Sequence, residues 1–183
     1  MRVFAAQGFH GTSMSDIAVA AGVTKPVLYQ HFGSKRQLYA ELLTEVGEQL
    51  KEAIVKAVAE ATSPRQMVEN GFAAYFDFVN TNRDAFQLFY ATSSWRDPEF
   101  SALVHKVENT LAEHVAGFIE IEGLTDEQRR LLGHGIVGMV EGASTHWLLD
   151  QETADPAELT RQLADLAWRG LRGVKPSESS DSR

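Results

Sequence analysis

Cysteine is absent from the 183 residues, which excludes a disulfide framework, a thiol nucleophile and any thiolate-bound metal. No apolar run approaches the length of a bilayer crossing, so the sequence encodes no transmembrane helix. The opening Met1-Arg2-Val3-Phe4-Ala5-Ala6-Gln7-Gly8 is too short and too polar for the apolar core of a secretory signal. These absences set the expectation of a cytoplasmic protein with no membrane partner. Enzyme signatures are missing as well: there is no Gly-x-Ser-x-Gly and no phosphate-loop glycine pattern. His105, His114, His134 and His146 have carboxylates nearby, yet no pair has the spacing that sets two ligands on one helical face. The expectation is a protein that is not an enzyme and needs no metal or cofactor, with an all-helical metal enzyme the most distant alternative.

Positive charge is also scarce, with 17 Lys and Arg against 25 Asp and Glu and a net charge of -8. Divided along the chain, the balance changes sign. Residues 1–40 hold Arg2, Lys25, Lys35 and Arg36 against Asp16 alone, leaving the acidic excess to the remainder. A small basic reader on an acidic body gives this asymmetry, and the local field decides phosphate binding more than the chain total. The acidic, aromatic-rich body argues against a DNA-wrapping architectural protein.

What the sequence has in abundance is helix starts. Ser34-Lys35-Arg36-Gln37, Ser63-Pro64-Arg65-Gln66, Thr125-Asp126-Glu127-Gln128 and Asp155-Pro156-Ala157-Glu158 each set a capping oxygen three residues before Gln or Glu. Asp97-Pro98 opens another helix, with proline where its missing N–H costs nothing. Between these starts apolar residues recur at helical spacing, as in Phe72, Phe76 and Val79, or Leu103, Val107, Leu111 and Val115. No comparable stretch alternates with period two. The fold class is all-α, and the breaks imply about nine helices joined by short connections.

Residues 13–31 carry the functional signal. Ser13 caps a short helix whose inward face is Met14, Ile17, Ala18 and Ala21, and Gly22-Val23 turns the chain. Thr24 is expected to cap a second short helix, Lys25-Pro26-Val27-Leu28-Tyr29-Gln30-His31. Two short helices about a glycine turn form a helix-turn-helix, whose second helix enters the major groove. Lys25 suits a hydrogen bond to guanine and Val27 a thymine methyl. Tyr29, His31, Lys35 and the hydroxyls of Thr12 and Ser13 can donate to phosphates. Leu28 and Phe32 read as core. Any αα-hairpin can be written in this way, so the pattern alone leaves a plain helical hairpin open.

Three longer stretches narrow the choice. Phe9-His10-Gly11-Thr12-Ser13-Met14-Ser15-Asp16-Ile17-Ala18, Ala21-Gly22-Val23-Thr24-Lys25 and Leu28-Tyr29-Gln30-His31-Phe32-Gly33-Ser34-Lys35-Arg36-Gln37-Leu38 closely resemble the DNA-binding region of TetR-type transcriptional repressors. The resemblance implies a homodimer with one helix-turn-helix per subunit and a C-terminal domain that binds an effector. It places Thr24, Lys25, Pro26, Val27 and Tyr29 toward bases or backbone, with Gln30 on the same short helix, and Thr12, Ser13, His31 and Lys35 toward phosphates. The family pattern extends further upstream than Met1, so the first helix is expected to be truncated. Pro26 stands where a small residue is common and removes one backbone donor. The expected organisation is a three-helix DNA-binding domain over 1–45, an effector-binding and dimerisation domain over 46–174, and a disordered tail over 175–183.

The body offers two further expectations. Gly133, Gly135, Gly138 and Gly142 fall within one helix, where each costs about 1 kcal/mol against alanine. Close helix approach is the obvious compensation. Gly138 and Gly142, with Leu159, Leu163, Leu166 and Gly170 on the last helix, form the expected dimer interface, as the resemblance also implies; a seam internal to one chain is the alternative. Phe72, Tyr75, Phe76, Phe86, Phe89, Tyr90, Trp95, Met139, Ala143 and Trp147, with Asn80 and His105 as polar contacts, form the expected effector pocket, against the alternative that these rings simply pack as core. The function expected is a ligand-responsive regulator, a repressor released from a pseudo-palindromic operator by a small hydrophobic or aromatic effector. An effector-independent or activating regulator is the alternative.

Overall fold

Local capping sets most helix boundaries, as the sequence pattern predicts. The computed structural model describes the backbone of residues 1–90, 97–149 and 155–176, and the side chains of all of these but Tyr90 and Leu149. Among the described residues there are nine α-helices and no strand. They are α1 Arg2–Gly11, α2 Met14–Ala21, α3 Lys25–His31, α4 Lys35–Ala59 and α5 Pro64–Thr81, followed by α6 Arg83–Tyr90, α7 Pro98–Gly117, α8 Asp126–Leu149 and α9 Pro156–Gly173. The Oγ atoms of Ser34 and Ser63 accept from the backbone of Gln37 and Gln66 at 3.1 and 3.2 Å. Thr125 and Gln128 cap each other reciprocally, at 2.9 and 3.2 Å. Asp155 accepts from Ala157 N and Asp97 from Glu99 N, both at 3.1 Å.

Thr24 departs from expectation. It is the N-cap of α3, but its side chain makes no cap hydrogen bond, and the helix is started by its carbonyl and by proline in the first turn.

The chain divides into two compact units, Met1–Glu52 with Phe78–Val107, and Ala53–Asp77 with Glu108–Arg183. In unit 1 the core gathers Phe4, Phe9, Met14, Ala18, Leu28, Tyr39, Leu43 and Phe100. Four rings lock it: Tyr39 lies edge-on to Phe4 and Phe9 at 4.9 and 5.1 Å, and Phe100 meets Phe9 at 4.9 Å. Tyr39 buries its hydroxyl by donating to Leu88 O at 3.1 Å. Gly47 permits a close approach of α4 and α7, since a Cβ there would lie 2.5 Å from Val107 Cγ2.

In unit 2 the buried residues include Phe72, Tyr75, Phe76, Leu111, Ala112, Val137, Val140 and Trp147. Gly133 sits against Ala112, whose carbonyl oxygen would be 2.3 Å from an added Cβ. The internal-seam reading therefore holds for Gly133. At Gly135, Gly138, Gly142 and Gly170 an added Cβ would meet nothing within 4 Å.

Candidate nucleic-acid interface and effector cavity

The helix-turn-helix is built from two local devices. Ser13 and Asp16 form a capping box that starts α2, with Ser13 N donating to Asp16 Oδ2 at 2.8 Å and Asp16 N to Ser13 Oγ at 3.2 Å. The Ser13 hydroxyl, and after it the Ser13 N–H, donate to the Asp16 carboxylate and hold it below its ordinary range. At the other end Gly22 takes a left-handed φ of 67° and Val23 N closes back to Ala18 O at 3.0 Å, which only glycine does without strain. Met14, Ala18 and Leu28 are buried, so α2 and α3 are fixed by their inner faces.

The outer face of α3 is then fully presented. Thr24, Lys25, Pro26, Gln30 and His31 are exposed, as are Val27 at 37 % and Tyr29 at 48 %. These seven residues form one continuous surface on a helix-turn-helix. Leu28 and Phe32 are packed inward, as expected.

Three residues expected to anchor phosphates are engaged elsewhere. Thr12 is 2 % exposed, and its hydroxyl lies 2.8 Å from Gly8 O and 3.3 Å from Val3 O. Ser13 spends its hydroxyl on the capping box, donating to Asp16 Oδ2 at 2.6 Å. Lys35 Nζ donates to Phe9 O at 2.7 Å and Thr12 O at 2.6 Å, 4.5 Å from the centroid of the Phe9 ring. Thr12 and Lys35 share a physical reason: α1 kinks at Gly8, with φ 70°, and the carbonyls around and after the kink need donors; Ser13 serves the start of α2 instead. In this conformation these residues build the corner that launches α2.

Arg36, unassigned by the sequence pattern, reaches the start of α7. It binds Asp97 at 2.6 Å and Glu99 at 2.9 Å and lies over the Phe100 ring at 4.8 Å. The guanidinium holds the Asp97 carboxyl down to about 2.

Unit 2 contains a cavity of about 350 Å³, within the range of small-molecule sites. Helix α4 contributes Ile54 and Val58 to its wall, and α5 contributes Pro64, Met67, Val68, Gly71, Phe72 and Tyr75. Helix α7 adds Leu111 and Val115, and the segment after it adds Phe118, Ile119, Glu120 and Ile121. Ile136, Val137 and Val140 of α8 and Trp168, Leu171 and Arg172 of α9 complete it.

Of the expected pocket residues, Phe72 and Tyr75 line this wall. Phe76, Met139, Ala143 and Trp147 belong to unit 2 but not to the wall. Phe76 and Trp147 are core, edge to face with centroids 6.5 Å apart. Asn80, Phe86, Phe89 and His105 belong to unit 1. Phe86 and Phe89 are buried there with centroids 6.2 Å apart, while Asn80 is exposed and accepts from Arg83 at 3.1 Å. Trp95 and the side chain of Tyr90 lie outside the described residues, as does residue 177 onward of the expected tail. The aliphatic wall was readable in one place: Phe118, Ile119 and Ile121 are apolar residues between two helices, where a solvated loop would be polar.

On α8 and α9 two stripes have little cover. Leu131 is 72 % exposed and precedes Gly135, Gly138 and Gly142 at spacings of four, three and four residues. Leu159, Leu163, Leu166 and Gly170 repeat the pattern on α9, with Leu166 58 % exposed, while Ala164 and Ala167 face inward. Among the described residues no three His, Asp or Glu side chains gather as a metal site, and no helix is long and apolar enough to cross a membrane.

A helix-turn-helix with its reading helix exposed, in a chain whose second unit holds an apolar cavity, marks a DNA-binding transcriptional regulator. Residues 1–42 match the family of bacterial regulatory proteins called tetR, and residues 64–170 match the tetracyclin repressor-like C-terminal domain. The chain belongs to the tetR family. It is 29 % identical to the HTH-type transcriptional activator FasR of Mycolicibacterium smegmatis, over 97 % of this chain and 81 % of that one. A TetR-like regulator from a Rhodococcus species is similar in structure, with a TM-score of 0.74 and 29 % identity over 94 % of this chain and 91 % of that one. FadR of Bacillus subtilis in complex with stearoyl-CoA has the same fold, with a TM-score of 0.80, 19 % identity and 94 % of each chain covered.

Proposed function

We propose that the protein is a cytoplasmic homodimeric repressor, released from a pseudo-palindromic double-stranded operator when a small hydrophobic or aromatic effector fills the unit-2 cavity. Residues 1–45 serve the DNA and residues 46–174 serve the effector and the second subunit, with no catalytic step. The observation that carries this reading is the apolar cavity in a chain that also presents the whole outer face of α3. The open glycine stripe of α8 and the leucine stripe of α9 support a helical interface between two copies. Thirteen aliphatic wall residues against four aromatic ones favour a flexible aliphatic effector over a flat ring. The stearoyl-CoA complex of the Bacillus subtilis FadR supports the same class. The effector can shift the protein off DNA by no more than its differential affinity for the two conformations.

The test is selection of an operator from random duplexes, followed by titration of the purified complex with aliphatic and aromatic ligands. The expected result is a palindrome with half-sites one or more helical turns apart, and loss of binding on adding an aliphatic ligand. Selection of no sequence, or an operator complex indifferent to every apolar ligand, would overturn the reading. Activation is a second reading, favoured by the activator FasR among the relatives. Transcription in vitro from a promoter carrying the selected site separates the two by its direction.

A further inference from the structure

The wall of the unit-2 cavity is chemically lopsided. Seventeen of its twenty residues are hydrocarbon or aromatic, one is glycine, and the only charged ones are Glu120 and Arg172. Arg172 stands in the last turn of α9, exposed, with its guanidinium 5.9 Å from the centroid of the Trp168 ring, another wall residue. Among the described residues neither Arg172 nor Glu120 has an ion-pair partner.

Two charges of opposite sign leave two head groups to weigh. A cationic ligand would need Glu120 and an aromatic face, but Arg172 already lies over the Trp168 ring and would repel it. An anionic head meets a guanidinium whose planar N–H fork suits carboxylate and phosphate oxygens.

We propose that the cavity binds an aliphatic amphiphile, with its tail among Ile54, Val58, Leu111, Val115 and Val137 and an anionic head held by Arg172. This rests on the reading of the cavity as the effector site. The head is a carboxylate, as in a free fatty acid, or the phosphates of an acyl thioester; both present oxygens that accept from the same N–H groups. Arg172 thus sets specificity for the head, and the aliphatic wall sets it for the tail.

The test compares full-length wild type with Arg172→Gln and Arg172→Lys by calorimetric titration. The probes are dodecanoate, dodecanol, dodecyltrimethylammonium and dodecanoyl-coenzyme A. Wild type is expected to bind dodecanoate about ten-fold more tightly than dodecanol, the scale of one charge-assisted hydrogen-bonded contact. Arg172→Gln should erase that ratio with dodecanol affinity unchanged, and Arg172→Lys should restore part of it. Dodecanoyl-coenzyme A binding more tightly than dodecanoate, with the excess lost in Arg172→Gln, would assign the head to phosphates; the reverse order would assign it to the carboxylate. Equal affinity for dodecanol and both anions, or tightest binding of the ammonium, would overturn the role of Arg172 while leaving the cavity as an aliphatic site. Binding of none of the four would instead remove the effector site itself.

Discussion

Lys35 Nζ lies 2.6 Å from the carbonyl oxygen of Thr12 and donates to it, while also reaching Phe9 O at 2.7 Å. One ammonium therefore ties the last turn of α1 and the residue after it to the first turn of α4, across the corner from which α2 departs. Thr12 closes the same corner from beneath, with its hydroxyl on Gly8 O. The helix-turn-helix thus begins from a corner that these two side chains hold together.

Lys35→Met should accordingly lower the stability of the protein by about 1–3 kcal/mol, the cost of leaving two carbonyls without a charged donor. Operator affinity should fall with it, because the helix-turn-helix loses its anchor. The slope of log affinity against log salt should stay at its wild-type value. A slope shallower by about one would mean that the ammonium leaves the carbonyls for a phosphate on the operator.

Reading by α3 should divide between Lys25 and Val27. Lys25→Ala should relax preference at one or two base pairs, at about 1–3 kcal/mol each, with little change on non-specific duplex. Val27→Ala should leave that position's preference intact and lose discrimination between thymine and uracil at another. Competition binding with operators substituted one base pair at a time measures both. Equal loss of affinity for every sequence in both variants would mean that neither side chain touches a base.

The helical fold was legible because its punctuation is local. Ser34, Ser63, Thr125 and Asp155 each cap within their own turn, and Gly22 turns the chain with its own φ, so no distant residue is needed to interpret them. The pocket was legible only at Phe72 and Tyr75, for the opposite reason. Phe76, Phe86, Phe89 and Trp147 are large rings, and large rings gain most where neighbours surround them, so they went to the two cores. The cavity formed where mid-sized aliphatic residues of α4, α5, α7 and α8 stop short of one another, and no single helix records that. Lys35 and Thr12 show the same limit. Their polar groups suit a phosphate chemically, while in this conformation they donate to carbonyls around the Gly8 kink, which no spacing in the sequence records.

The glycines of α8 should split into two kinds. Gly133→Ala puts a Cβ against the Ala112 backbone, at 2.3 Å from its oxygen. Overpacking of that sort costs about 1–3 kcal/mol, which outweighs the gain in helix propensity of about 1 kcal/mol because backbone has little room to yield. Its melting temperature should fall. At Gly138 an added Cβ meets nothing within 4 Å, so a Gly138→Leu protomer should fold while sedimentation shows a weaker dimer and operator affinity drops. A Gly138→Leu protein that sediments as wild type would take this stripe out of the interface.

Glu141 should give the protein an alkaline limit. Burial lifts its carboxyl to about 8 from an ordinary 4.5, and the nearby Glu108 pushes in the same direction. In the unfolded chain the proton leaves near the ordinary value, so between these two pH values the folded state holds more protons than the unfolded one. Linkage then makes stability fall as pH rises through that interval, with the neutral carboxyl fully compatible with burial below it and the cost of a buried charge complete above it. Glu141→Gln keeps the shape and removes the titration. Its stability should match wild type near pH 4.5, exceed it at pH 8 and above, and show a flatter profile between, measured by denaturant unfolding at a series of pH values. Parallel curves for the two proteins across the whole range would mean that Glu141 is already ionised in the folded state at neutral pH, stabilised there by a partner strong enough to overcome both its burial and Glu108.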